Sequence, residues 1–267
     1  MFAYPFMVNA LEAGTIVSLI AAVAGWFMVL RRQAFAGHTL AVMSFPGASA
    51  AALAGIPLAA GYFASSAAAA VAIAAGSRGR DGRDPVQESA VIGTVQVAGL
   101  ALGFLFLSLY GGILESLETM LFGSFLGITQ DQVLALLAVA SATLLFFVIA
   151  GRPLLYASVD PLAAHARGVP VRLLEPAFLV VLGLAVAATA QITGVLLVFA
   201  LLVAPAAAAQ ELTPRVWLGL ALTATVALSV TWLALTLAYY TAYPVGFFVT
   251  SIGFAAWVAA SLWRRLC

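Results

Sequence analysis

Residues 13–32 read AGTIVSLIAAVAGWFMVLRR, eighteen residues with no charge and then Arg31 and Arg32. A helix needs about 20 apolar residues to cross the hydrocarbon layer, and arginines at its end are the anchor expected on the cytoplasmic side. The pattern recurs down the chain. Stretches free of Asp, Glu, Lys and Arg cover residues 13–30, 33–77, 89–114, 132–151, 176–210 and 216–263. Three of these exceed one span. They divide at Gly55-Ile56-Pro57, at Gln191-Ile192-Thr193-Gly194 and between Tyr239 and Gly246, where Gly, Pro and interfacial Tyr are the expected punctuation. Nine candidate segments result. The pair flanking Gly194 is short, so one of them is open to a re-entrant reading. The expected fold is an all-α polytopic bundle of eight or nine transmembrane helices, one domain over residues 1–267.

Composition agrees. Of 267 residues, 64% are hydrophobic and 8% charged, against about 25% charged in soluble domains. That excludes a soluble enzyme. A net charge of +1 offers no basic face for phosphates, which excludes a nucleic-acid binder. A β-barrel would show alternating segments of about ten residues, whereas these runs are continuous. The one cysteine, Cys267, is the last residue, so internal disulfides, metal-binding cysteine spacings and a C-terminal prenylation box are all unavailable. Residues 1–10 hold no Lys or Arg, so the first segment is expected to be a retained span and not a cleaved signal.

All eleven basic residues are arginine: Arg31, Arg32, Arg78, Arg80, Arg83, Arg152, Arg167, Arg172, Arg215, Arg264 and Arg265. Nine spans threaded with the N-terminus outside place every one on the same face, which the positive-inside rule makes cytoplasmic, together with the C-terminus. The opposite loops hold Glu115, Glu118 and Asp131, a solvated rim or a docking edge. Alanine and glycine throughout the spans mark close helix–helix packing. The chain is thus expected to be a multi-pass protein of the cell membrane.

The longest polar insertion runs from Arg152 to Glu175. Inside it, residues 160–169 read as a short helix with its own punctuation: Asp160 as N-cap, Pro161 at the first helical position, Gly168 as the left-handed stop. It is either an interfacial connector or a docking element for a cytoplasmic partner.

Four stretches then resemble one family in the right order. They are Arg31 to Gly37 followed by Phe45-Pro46-Gly47-Ala48, residues 121–128, Asp160-Pro161…Ala164…Gly168-Val169, and residues 194–206. Together they resemble the permeases of metal-ion ABC importers of the zinc, manganese and iron type. The resemblance implies a homodimer in the lipid bilayer, moved by cytoplasmic ABC ATPase subunits and fed by an extracytoplasmic solute-binding protein. It implies that Asp160, Pro161, Ala164, His165, Arg167 and Gly168 form the coupling helix, with Ala164 and Gly168 small where bulk would block docking. No phosphate-binding Gly-x-x-x-x-Gly-Lys-Ser/Thr loop occurs. ATP and Mg are therefore expected to be handled by the separate ATPase, with no cofactor on this chain.

The chain also departs from the family. Where that family usually carries an acid and a histidine one helical turn apart, this sequence has Gly37-His38-Thr39-Leu40-Ala41-Val42. His38 stands for the acid and Val42 for the histidine. His38, helped by Thr39 or Met43, is a candidate metal contact in the substrate path, against the alternative of a hydrogen-bonded packing residue. Glu12 is the acid set inside an apolar run, either snorkelling outward or facing the path. Pro46, Gly47 and Pro205 are candidate bend or gate positions, proline in a membrane helix being equally compatible with plain packing. Two other classes stay in play: an ion-coupled secondary transporter, which would need buried ionisable groups beyond His38, and a non-transporting assembly partner.

Overall fold

In the computed structural model, which describes residues 4–77, 85–111, 127–241 and 243–266, eleven helices and no strand occur among the described residues. They are α1 (Pro5–Leu30), α2 (Ala34–Val42), α3 (Ser44–Ala54), α4 (Leu58–Gly76), α5 (Pro85–Tyr110), α6 (Gln130–Val159), α7 (Pro161–Ala166), α8 (Val171–Thr193), α9 (Val195–Leu212), α10 (Val216–Tyr240) and α11 (Val245–Leu266).

The expected breaks hold, and each has a local cause. The αL residue Gly55 and then Pro57 end α3 and start α4, and Gly194 separates α8 from α9 with φ 77 and ψ 156, a conformation nearly restricted to glycine. A further break separates α2 from α3. Pro46 has no N–H to give the Val42 carbonyl, and the helix pauses at Met43, which keeps helical angles (φ −66, ψ −15), so the chain bends there without turning back. Pro205 leaves α9 uninterrupted, as Pro153 leaves α6 and Pro176 leaves α8.

Seven helices, α1, α4, α5, α6, α8, α10 and α11, are long and apolar enough to cross a membrane. The bent α2–α3 pair and the 18-residue α9 complete nine segments, the larger of the two expected numbers. Two boundaries need correction. The polar insertion was expected to begin at Arg152, but α6 runs through Arg152 and Pro153 to Val159 and α8 starts at Val171, so the insertion proper is residues 160–170. A charge marks where the lipid can end, and a helix continues past it into water. Likewise α1 starts at Pro5, which sets Glu12 two turns inside the helix.

Side-chain contacts assign the helix ends. Arg31 at the end of α1 bonds Ser158 near the end of α6 (3.1 Å) and faces Glu175 near the start of α8 (4.0 Å). The Gln210 amide donates to the Trp26 carbonyl at 3.0 Å, and Arg264 pairs with Glu211. The end of α1, the end of α6, the start of α8, the end of α9 and the end of α11 therefore lie at one pole, and α8 and α9 run in opposite directions about Gly194. At the other pole the Asn9 amide donates to the Ile128 carbonyl at 3.1 Å. The eight described arginines all belong to the first pole, as the nine-span threading requires; Arg78, Arg80, Arg83, Glu115, Glu118 and most of the 121–128 motif lie outside the described residues.

The centre is α1, packed against α6, α8, α9 and α10. Lipid supplies little drive for helices to associate, so close approach and hydrogen bonds take that role. Ser18 donates to Thr231 across α1–α10 at 2.7 Å, Ser44 and Ser66 share a 3.0 Å bond across α3–α4, and a Cβ on Gly25 would overlap the Leu202 carbonyl of α9.

Candidate functional site

The insertion folds as its sequence dictates. Asp160 is extended (φ −143, ψ 95), and one carboxylate oxygen accepts the backbone N–H of Leu162 at 3.0 Å and of Ala163 at 2.9 Å, with Pro161 at the first helical position. At the other end Gly168 has φ 81, the N–H of Val169 reaches the Ala164 carbonyl and that of Gly168 reaches His165, a Schellman closure. Leu162 is 84% exposed, and His165, Arg167 and Gly168 are exposed as well. Ala164 is the exception. At 3% exposure it faces the chain's own bundle, so its small side chain lets α7 sit down between α6 and α8. This corrects the expectation that Ala164 lies on the docking face. The exposed positions of α7 and its closing turn are Leu162, Ala163, His165, Ala166, Arg167 and Gly168.

The candidate path residues divide between two faces of α2–α3. His38 is half-buried and sets its ring edge-on against Phe199 of α9, centroids 5.4 Å apart; among the described residues neither ring nitrogen has a hydrogen bond. Thr39 is buried and turned to α5, where its hydroxyl donates to Gln96 Oε1 at 2.9 Å. Met43, one turn further on the Thr39 side, packs its thioether against Gly99 of α5, where a Cβ would overlap it. Met43, Pro46 and Gly47 share an apolar cleft of about 760 Å³ between α3, α4 and α5 that Gly61, Ser65 and Gly99 also line. His38, Thr39 and Met43 are therefore neighbours in sequence that do not converge on one point.

Glu12 is elsewhere. It is exposed in a second groove of about 760 Å³ between α1, α6 and α10, with Thr15, Gln130, Trp232 and Thr236, and no residue of α2 lines that groove. Glu12 and His38 thus lie in different parts of the bundle. Pro205 is buried in α9 and lines neither cavity. Among the described residues no three of His, Cys, Asp and Glu come together as a metal-binding group. Sequence reading missed Gln96 and Phe199. A lone amide inside the apolar 89–114 run was the available signal for Gln96, since polar groups in lipid tend to have partners or tasks; Phe199 gave none.

The ABC 3 transport family model matches residues 3–264. The manganese transport system membrane protein MntC of Halalkalibacterium halodurans is 30% identical over 224 residues, 84% of this chain and 75% of that protein. The chelated iron transport system membrane protein YfeD of Yersinia pestis is 32% identical over 76% of this chain and 67% of its own length. The fold matches a chain of PsaBC from Streptococcus pneumoniae, solved in complex with Fab, with a TM-score of 0.84 over 98% of this chain and 95% of that one at 24% identity. The family match spans all four stretches that resemble an ABC permease, and the polytopic bundle, its punctuation and its family agree: this chain is a membrane permease of the ABC 3 transport family.

Proposed function

We propose that this permease is the transmembrane subunit of an ATP-driven importer that moves a divalent metal ion (manganese, iron or zinc) or its chelate into the cell by alternating access. The reading takes the arginine-bearing pole as cytoplasmic, with the N-terminus outside and the C-terminus inside. The observation that carries it is α7: a six-residue helix, capped at both ends, held between α6 and α8 and exposing Leu162, His165 and Arg167 at that pole. So short a helix gains almost nothing by burial, and its double capping preserves a shape that a partner can grip. A separate ABC ATPase would close on ATP and Mg, push α7 in each of two protomers, and switch the cavity between its outer and inner openings. A solute-binding protein at the opposite pole would supply affinity and selectivity.

Manganese and chelated iron are the cargoes in the names of the two relatives above, which supports the metal class. The imidazole of His38, which has no hydrogen bond among the described residues, suits a borderline ion better than a hard one. The test is reconstitution with the cognate ATPase and binding protein. Wild type is expected to take up Mn²⁺, Fe²⁺ or Zn²⁺ only with ATP, Leu162→Asp to lose ATPase association, and His38→Ala to lower uptake without lowering association. Uptake driven by an ion gradient without ATP would establish the secondary-transporter alternative, and ATPase association unaffected by Leu162→Asp would remove α7 from the coupling role.

A further inference from the structure

Arg31 is a charge withdrawn from water: its side chain is 4% exposed. A buried guanidinium is costly unless its donors are met, and here they reach several elements. Nε donates to Gln33 Oε1 at 3.3 Å and Nη1 to Ser158 Oγ at 3.1 Å. Nη2 stands 4.0 Å from Glu175 Oε1, and the guanidinium carbon lies 5.0 Å from the centre of the Phe178 ring, within cation–π range.

These partners share a position in the fold. Ser158 is the last residue but one of α6, and Glu175 and Phe178 belong to the first turns of α8, so they are the two stems from which α7 hangs. Gln33 immediately precedes α2, the helix of His38 and Thr39. The corner joining Arg31 to α2 is stiff: the Gln33 N–H bonds the Met28 carbonyl and the Arg32 N–H bonds Val29, with Arg32 itself at φ 58. One side chain thus ties both stems of α7 to the start of α2.

We infer that Arg31 is a positioning residue that couples displacement of α7 to α2 and so to the substrate path, an inference that rests on the docking role proposed for α7. A push on α7 moves Ser158 and Glu175 together. The Arg31–Glu175 separation of 4.0 Å is loose for an ion pair, and a charge-assisted bond closes at about 2.8 Å, so a shift of about an ångström at the start of α8 makes or breaks it. A contact with two such arrangements is the kind of element through which coupling passes.

The experiment has two arms. In proteoliposomes holding the full transporter, Mn²⁺ uptake and ATP hydrolysis are measured on the same vesicles for Arg31→Lys, Ser158→Ala and Glu175→Gln. Assembly and hydrolysis are expected to persist while metal moved per ATP falls about tenfold, the scale of one coupling interaction, and Arg31→Glu with Glu175→Arg is expected to recover part of it. Uptake and hydrolysis falling in parallel, or an unchanged ratio, overturns the inference. The second arm needs neither ATPase nor cargo. Spin labels at Phe35 and His165, both exposed, in a Cys267→Ser background should give a narrow distance distribution in nanodiscs that broadens in Ser158→Ala and Glu175→Gln. An unchanged distribution refutes Arg31 as the tie even where the wild type proves to move no metal, which is a failure of the transport reading instead.

Discussion

Gly47 of α3 and Gly61 of α4 meet backbone to backbone. A Cβ built on either one overlaps the other's carbonyl oxygen, and a Cβ on Gly61 would also stand 2.8 Å from that of Ala51. A backbone carbonyl cannot swing aside as a long side chain can, so relief requires the two helices to part, and overpacking of this kind costs about 1–3 kcal/mol. Gly47→Ala and Gly61→Ala should each lower the melting temperature in detergent by several degrees. Gly151→Ala, within α6, whose Cβ would meet Phe27 at an ordinary 3.8 Å, should leave it unchanged or raise it, alanine being the better helix former. Equal melting of all three variants would show that α3 and α4 pack differently.

Asp160 holds two backbone donors of α7 with one oxygen. Loss of an N-cap costs about 1 kcal/mol, a large share for a helix of six residues that cannot propagate on its own. Asp160→Ala should speed amide exchange at Leu162 and Ala163 and reduce ATPase binding, while Asp160→Asn, which keeps an acceptor, should stay close to wild type. If Ala and Asn behave alike, the carboxylate acts by its charge and not as a cap.

The cap, the Pro161 start and the Gly168 stop were legible because capping is local: each bond spans five residues or fewer in sequence. The breaks at Gly55 and Gly194 were legible for the same reason, since a left-handed residue announces itself. The site was less so. Thr39 meets Gln96 across 57 positions, and Arg31 meets Ser158 across 127; such pairs depend on how each helix is rotated about its axis. Helices without polar faces give that rotation no amphipathic signature. Glu12 shows the same limit, since its place inside an apolar run was readable from the sequence and the groove it faces was not.

The bond between Thr39 and Gln96 ties α2 to α5 in an otherwise apolar setting. Interhelical hydrogen bonds in membranes contribute about 0.6 kcal/mol on average, so the single changes Thr39→Val and Gln96→Leu should each be mild. Their double variant should cost less than the sum of the two, because the second change removes a partner already lost. Thermal unfolding of the four proteins in nanodiscs measures the coupling directly. Strict additivity would show the bond to be absent in lipid.

Arg32 and Gly168 occupy the same position in two Schellman closures, one ending α1 and the other α7, at φ 58 and φ 81. Glycine adopts that region freely, whereas an L residue incurs about 1–2 kcal/mol. Arg32→Gly should therefore raise the melting temperature, by the equivalent of about 0.5–1 kcal/mol once the greater freedom of glycine in the unfolded chain is subtracted. Gly168→Ala should lower it, although its Cβ would touch nothing within 4 Å, because the strain lies in the backbone and not in crowding. Arg32→Ala separates conformation from charge: it removes the guanidinium and keeps the strained φ, so it should bring no gain. A rise with alanine equal to that with glycine would mean that charge repulsion at the arginine-bearing pole, and not the left-handed turn, sets the stability of the α1–α2 corner.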